Sequence, residues 1–181
     1  MTTESTRQAT QPRRRRKRLR KALAATVLVF LGRGLVAAAR VDARVRREVL
    51  GWPQGTLVTI AVAPDGPRAS WQFAEGRLRY LGSQAGLAPT LLVTYKSVDV
   101  ALPVLIGRQG ILAAFTEHRS TLAGDIGLGM SLVRCLHIVE SYLFPDIIGR
   151  SVLPGPPSRE VSHARAYFAL LSTAVDLEET S

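Results

Sequence analysis

Residues 89–145 carry the pattern that decides the fold: PTLLVTYKSVDVALPVLIGRQGILAAFTEHRSTLAGDIGLGMSLVRCLHIVESYLFP. Apolar residues first run without a break, as in a central strand, and then recur at the three- and four-residue spacing of helices. Ser97 and Asp125 are good N-cap residues, and Pro145 ends the last helical pattern. Beyond it, a Gly/Pro-rich link, a C-terminal helix and a polar tail are predicted over 149–181. The quoted stretch predicts five elements: a strand over 90–95, a helix over 98–106, a short helix around 111–115, a strand over 120–124 and a helix over 126–144.

The residues before this stretch alternate with the two-residue period of strands. They predict strands over 56–63, 69–73 and 77–81, and the Pro- and Gly-rich run 64–67 predicts the first turn. Three strands in close succession form a meander, and the later helices need a sheet face against which to bury their apolar sides. We therefore predict an α+β domain over residues 53–148, with an antiparallel five-stranded sheet and helices packed on one face.

The positive charge of the chain is confined to its N-terminal part. The 181 residues include 24 Lys and Arg against 14 acidic residues, a net charge of +10. Residues 1–50 hold 14 of the basic and 3 of the acidic residues, a net of +11, whereas residues 51–181 carry −1. Such asymmetry indicates a polyanionic partner for the N-terminal part, either a membrane surface or a nucleic acid.

Residues 1–21 are predicted to form a disordered basic arm, which an apolar run follows. The run allows three interpretations: a membrane span, a secretory signal cleaved near Ala37–Ala39, or an amphipathic helix on a membrane surface. Arg33 counts against the first two, whereas a helix over 22–52 places it on a polar flank opposite an apolar face. We favour the basic amphipathic surface helix and expect these residues to bind an anionic membrane: Phe30 and the basic run Arg13, Arg14, Arg15, Arg16, Lys17, Arg18, Arg20 and Lys21.

Residues that could support catalysis are few. His118, His137 and His163 are far apart and lack the spacing of metal ligands. The glycines at 124–129 lack the Lys-Ser/Thr ending of a phosphate-binding loop. Cys135, the single cysteine, has apolar neighbours and is predicted to be a buried, inert thiol. We therefore predict a protein that is not an enzyme and has no metal or cofactor.

The stretch 89–145 resembles the lipid-binding domains of the sterol carrier protein type-two family. There, too, a central strand leads into a short helix that ends at glycine, a second helix leads to a strand ending in Gly-Asp, here Gly124-Asp125, and a long apolar helix follows. The chain also resembles the bacterial accessory proteins of ubiquinone biosynthesis, which place this domain after an N-terminal helical segment at the inner membrane. The resemblance implies that sheet and helices enclose an apolar cavity for a lipid chain, with these wall residues: Val104, Leu105, Ile111, Leu112, Phe115, Ile126, Met130, Val133 and Leu136.

Together these features lead us to expect a non-catalytic carrier of a long-chain lipid or isoprenoid lipid. Its expected location is the cytoplasmic face of the membrane, beside membrane-associated biosynthetic enzymes, with an accessory role in ubiquinone biosynthesis as the narrower expectation. The alternative is a nucleic-acid-associated protein that uses the Arg-rich arm as an electrostatic clamp. The neutral body has few aromatic residues and offers neither a basic face nor a stacking platform, so nucleic acid is the less favoured partner.

Overall fold

The structure, a computed structural model, describes residues 11–84 (side chains from residue 15), 88–110, 114 and 117–143. In chain order its elements are α1 (Gln11–Val41), α2 (Ala43–Leu50), β1 (Leu57–Val62), β2 (Arg68–Ala74), β3 (Arg77–Gly82), β4 (Leu91–Tyr95), α3 (Val98–Leu105), β5 (Ser120–Gly124) and α4 (Ile126–Leu143).

The elements predicted from residue 56 to residue 144 are confirmed where the structure describes them. All five strands and the helices α3 and α4 agree with the predicted bounds to within one residue at each end. The N-caps are confirmed as well: the Ser97 hydroxyl accepts a hydrogen bond from the Val100 N–H (3.4 Å), and the Asp125 carboxylate accepts one from the Leu128 N–H (2.7 Å). The predicted helix near 111–115, apart from one residue, and all predictions for 149–181 lie outside the described residues.

The sheet is mixed, and the prediction that it is antiparallel throughout is wrong. Its strand order is β3–β2–β1–β4–β5, and every neighbouring pair is antiparallel except β1 and β4, which run parallel with Val58 opposite Leu91. The meander ends at the outer edge of the sheet, and the connection over 83–90 returns the chain to the start of β1. Because β4 begins beside the beginning of β1, the two strands run in the same direction.

The long helices α1 and α4 pack on the same sheet face. The Trp71 indole N–H, on β2, donates a hydrogen bond to the Gly32 carbonyl oxygen in α1 (3.0 Å). On the same face but towards the opposite edge of the sheet, Leu122 of β5 lies so close to Gly129 of α4 that a methyl group at Gly129 would approach it to 2.6 Å. The apolar face of α1 supplies the centre of the core, where side chains such as Leu31 are almost completely buried.

The N-terminal helix differs from its prediction in both its start and its continuity. α1 begins at Gln11, so the arm predicted to be disordered is helical from that residue onward. The single helix predicted over 22–52 is broken at Asp42, which has extended backbone angles (φ −102°, ψ 120°) and caps α2. Its carboxylate accepts hydrogen bonds from the N–H groups of Arg44 (2.9 Å) and Val45 (3.4 Å). An aspartate side chain that caps a new helix competes with continuation of the preceding helix. The spacing of the apolar residues does not reveal this competition.

Candidate functional site

The predicted lipid site between sheet and helices is closely packed in the part of the chain that the structure describes. The free space between the sheet and α4 is about 10 Å³, roughly the room that one water molecule needs. A lipid chain would require its walls to separate. The expected apolar cavity stays a prediction, because three of its predicted wall residues lie outside the described residues. The space is lined by eight residues of β1, β4, β5 and α4: Ile60, Val93, Tyr95, Leu122, Gly129, Leu132, Val133 and Leu136.

Four of the nine predicted wall residues lie in this interior. Val133 and Leu136 line the small space, and Leu136 is 3% exposed. Val104 and Leu105, in the last turn of α3, belong to the same apolar core and are almost completely buried. The spacing along α3 and α4 thus identified side chains that the fold brings together.

The other five predicted wall residues are not placed in the interior. Ile126 and Met130 are 74% and 38% exposed. α4 is apolar around much of its circumference, so its sequence alone does not show which side meets the sheet. Ile111, Leu112 and Phe115 lie outside the described residues.

A buried carboxyl group that was not among the predicted site residues lies on α4. Glu140 is only 6% exposed, one turn beyond Leu136. Burial raises the pKa of Glu140 to about 8. Burial also raises the pKa of Tyr95, and the charge of Glu140 adds to that rise. A carboxyl group that is neutral near pH 7 can donate a hydrogen bond as well as accept one, which makes it a polar contact suited to an uncharged oxygen.

The basic run on α1 is divided between exposed residues and residues that hold the helix on the body. Arg15, Arg16, Lys17 and Arg18 are exposed. The next two basic residues form ion pairs with the body, Arg20 with Asp99 at the start of α3 and Lys21 with Asp65 in the turn after β1 (2.6 Å). The side chains of Arg13 and Arg14 are outside the described part. Four of the eight predicted membrane-binding cations are thus available to a partner in the described structure.

Apolar side chains lie exposed on α1 beside these cations. Leu19, Leu23 and Phe30 are 70%, 49% and 52% exposed. Their spacing of four and seven residues places them on one side of the helix. The opposite side of the same helix, which includes Leu28 and Leu35, is buried in the core. α1 therefore has two apolar sides, one used by the fold and one left at the surface.

Two helices, Arg15–Val41 and Ile126–Leu143, are long and apolar enough to cross a membrane by length and composition. More than half of each apolar segment is buried inside the domain, 56% in the first and 61% in the second. Core helices of folded domains have this same composition. Length and composition alone therefore do not distinguish a membrane span from a core helix here.

The break between α1 and α2 is held to the far end of α4 by a buried carboxylate. The Asp42 side chain is completely buried, accepts a hydrogen bond from the Tyr142 hydroxyl (2.8 Å) and is paired with the Arg44 guanidinium (2.8 Å). Burial acts to raise the pKa of Asp42, but the hydrogen bonds from Arg44 and Tyr142 outweigh it and hold the pKa below its ordinary value. The contact joins residues one hundred positions apart.

A second polar cluster joins α2 to the middle of α4. Glu48 accepts hydrogen bonds from Arg134 (2.7 Å) and from the hydroxyl of Ser131 (2.8 Å), which in turn accepts one from the indole N–H of Trp52 (2.8 Å). The hydrogen bond from Arg134 is the main reason that the pKa of Glu48 is lowered. Every member of this cluster has a partner inside it, and its geometry fits a structural contact between helices.

Groups suited to catalysis are sparse in the described residues. Within them, no three His, Cys, Asp and Glu side chains are placed to hold one metal ion. Cys135 is completely buried, as predicted, and burial raises the pKa of its thiol to about 12. A thiol that stays protonated and inaccessible is a poor nucleophile.

Comparison with known proteins gives matches among solved structures. A structure described as "UbiJ-SCP2 Ubiquinone synthesis protein" is 20% identical, with a TM-score of 0.45, over 65% of this chain and 96% of that one. A crystal structure of sterol carrier protein 2 is 14% identical, with a TM-score of 0.48, over 62% and 94% of the two chains. TT1886 from Thermus thermophilus, described as possibly a sterol carrier protein, is 18% identical with a TM-score of 0.43, over 61% and 86%.

The chain is similar to sterol carrier protein structures. These are structures of the family that the sequence resembles. No protein-family model and no curated protein sequence matches the chain. With identities of 20% or less, the likeness concerns the fold, and function has to be argued from the geometry of this chain itself.

Proposed function

We propose that this protein is a non-catalytic lipid-binding protein that acts on an anionic membrane surface, with the basic end of α1 as its membrane contact. The observation that carries the proposal is the division of α1 into a buried apolar side and a surface that combines exposed cations with exposed Leu19, Leu23 and Phe30. Surface-bound helices have this composition, because apolar side chains enter the lipid boundary while basic ones meet anionic head groups.

The burial of α1 also favours a surface helix over a cleaved secretory signal. Cleavage near Ala37–Ala39 would remove Leu28, Leu31 and Leu35, each 1% exposed or less, from the centre of the core. It would also remove the Gly32 carbonyl oxygen that accepts the hydrogen bond of Trp71. A segment on which the domain depends to this extent fits a permanent part of the protein.

The proposed ligand is a long-chain lipid or isoprenoid lipid. The support is the sequence resemblance to sterol carrier domains, together with an interior whose walls are almost entirely apolar. The narrower resemblance to ubiquinone accessory proteins suggests an isoprenoid quinone precursor and membrane-associated biosynthetic enzymes as partners, on the cytoplasmic face of the membrane. Because the described interior is packed, binding there would require α4 and the sheet to move apart.

Vesicle flotation of the full chain tests the membrane contact. We expect the protein to bind phosphatidylcholine vesicles that contain phosphatidylglycerol and not to bind vesicles of phosphatidylcholine alone. Each basic residue near an anionic leaflet contributes about 1 kcal/mol, so the double variant Arg15→Gln/Arg16→Gln should bind roughly thirtyfold more weakly. The matched control Arg68→Gln/Arg108→Gln removes two exposed charges from the body and should bind like the wild type.

Two results would overturn the membrane proposal. One is an equal loss of vesicle binding in the variant and its control, which would show a general charge effect. The other is the absence of vesicle binding together with tight, steeply salt-dependent binding to duplex DNA or RNA, which would favour the nucleic-acid alternative. The carrier part is tested separately by organic extraction and mass spectrometry of the purified full chain, where protein without a defined lipid would contradict it.

A further inference from the structure

Buried polar side chains lie at one end of the apolar interior, where β4 finishes. Tyr95 is the last residue of β4, Ser120 is the first residue of β5, and the two are paired directly across the antiparallel strands. Tyr95 lines the interior together with Leu122, which is two residues after Ser120 and therefore on the same side of β5. The side chains of Tyr95 and Ser120 are thus neighbours on the sheet face that α4 covers.

The buried Glu140 belongs to the same end of the interior. α4 packs with Gly129 against Leu91, the first residue of β4. Further along, α4 contributes Leu136 to the space that Tyr95 also lines. Glu140 is four residues after Leu136 and therefore continues the same side of the helix by one more turn. Its charge acts on Tyr95, whose pKa it raises.

None of these three side chains has a hydrogen-bond partner among the residues that the structure describes. The Ser120 hydroxyl is buried without a partner, and no hydrogen bond reaches the Tyr95 hydroxyl or the Glu140 carboxyl group from the same part of the chain. All three are more than nine-tenths buried, with 2%, 5% and 6% of Tyr95, Ser120 and Glu140 exposed. Buried polar groups of folded proteins are hydrogen-bonded in the large majority of cases, so three unpaired groups at one place indicate a polar partner that binds there.

The chemistry of the three groups suits an uncharged oxygen atom. A hydroxyl group can donate one hydrogen bond and accept others, and a protonated carboxyl group can do the same. Burial is the one influence on the pKa of Glu140, so no cation in the described part of the chain stabilises a negative charge at this place. A bound carboxylate or phosphate would therefore be buried without a compensating charge, which is strongly unfavourable.

We propose that Tyr95, Ser120 and Glu140 bind the hydroxyl or carbonyl oxygen of an uncharged lipid head, while the hydrocarbon chain of the lipid lies between the sheet and α4. This inference rests on the proposed function, because it names the head group that the carrier selects. The lipid oxygen supplies the hydrogen bonds that the three groups lack. A fatty acid is rejected, because its carboxylate would be buried beside Glu140 with no cation to pair with it.

Three probes with the same hydrocarbon chain test this selectivity. Tritiated dodecanol, dodecanoate and dodecane are delivered to the full chain from methyl-β-cyclodextrin at neutral pH, and the protein-bound fraction is counted after rapid gel filtration. We expect dodecanol to bind at least tenfold more tightly than either of the others. Equal affinity for dodecanoate would show that the site accepts a charged head, and equal affinity for dodecane would show that no polar group contacts the ligand; each would overturn the proposal.

Removal of the two hydroxyl groups locates the head group. The double variant Tyr95→Phe/Ser120→Ala should weaken dodecanol binding by tenfold or more and leave dodecane binding unchanged. Because neither hydroxyl has a partner in the described structure, the double variant should keep the urea midpoint of the ligand-free wild type. The control Ser70→Ala removes a buried hydroxyl that is paired with Thr59 on the other face of the sheet and should bind all three probes like the wild type.

The remaining outcomes separate this proposal from the proposed function. A double variant that bound dodecanol as tightly as the wild type, or whose urea midpoint fell, would show that the hydroxyl groups serve another purpose and would refute the head-group site. A wild type that carries extractable lipid but binds the three probes equally would refute the site and leave the carrier function standing. A wild type that carries no extractable lipid and binds none of the probes would contradict both.

Discussion

Glu140 should make the protein less stable as the pH rises. Its pKa is about 8 in the folded chain, against an ordinary value of 4.5. Between these values the folded state holds a proton that the unfolded chain releases, so raising the pH favours unfolding. Below pH 4.5 this group does not reduce the free energy of unfolding. As the pH rises from 4.5 to about 8, the free energy of unfolding falls progressively.

The expected loss is a large part of a typical folding free energy. One pKa unit corresponds to about 1.4 kcal/mol, so the rise from 4.5 to about 8 corresponds to a loss of roughly 5 kcal/mol. Domains of this size are stable by only about 5–15 kcal/mol. We expect Glu140→Gln, which keeps the shape of the side chain and removes its ionisation, to be the more stable protein above pH 8 and to show little of this pH dependence.

Urea unfolding measures the effect directly. The buried Trp52 and Trp71 provide a fluorescence signal for the unfolding of the domain, and the free energy of unfolding is obtained at a series of pH values from mildly acidic to mildly alkaline. Glu117→Gln, at an exposed acid, is the control and should follow the wild type at every pH. If Glu140→Gln lost stability with pH as steeply as the wild type, Glu140 would not be the buried acid responsible, and the reasoning would be wrong.

Three further predictions concern the docking of the helices. Leu28→Ala, on the buried side of α1, should lower the free energy of unfolding by about 2–5 kcal/mol. Leu23→Ala, on the exposed side, should lower it by less than about 0.5 kcal/mol. Equal losses for the two variants in urea unfolding would contradict the docking of α1. Tyr142→Phe removes the buried hydrogen bond to Asp42 and should cost about 1–3 kcal/mol, and an unchanged urea midpoint would show that the contact is unimportant. Cys135 is buried, with a pKa of about 12, so iodoacetamide should modify it far more slowly in native protein than in urea; rapid labelling of the native protein would refute its burial.

The sequence predicted the elements of the body well because their signals are local. Alternation over a few residues identified the strands, and Ser97 and Asp125 identified two helix starts whose caps are seen in the structure. Each of these signals depends on contacts between residues at most four positions apart. The burial of Cys135 was also predictable, since its neighbours on α4 are apolar.

The site could be predicted only in part, because local signals do not show how distant elements pack together. Val133 and Leu136 were identified as interior residues, but Ile126 and Met130, on the same apolar helix, are at the surface. Helical spacing groups residues into faces and says nothing about which face meets the sheet when more than one is apolar. The parallel pairing of β1 and β4 escaped prediction similarly, because it depends on where a connection returns the chain.

The sequence by itself determined the α+β class, the strand and helix positions of the body, and the concentration of positive charge in the first fifty residues. Only the tertiary structure decided how that charge is used: Arg20 and Lys21 hold α1 to the body, while Arg15, Arg16, Lys17 and Arg18 stay exposed. The physical reason is the distance along the chain over which each interaction acts. Propensity and periodicity act between near neighbours in the chain, whereas an ion pair or a cleft depends on the path by which the whole chain brings distant residues together.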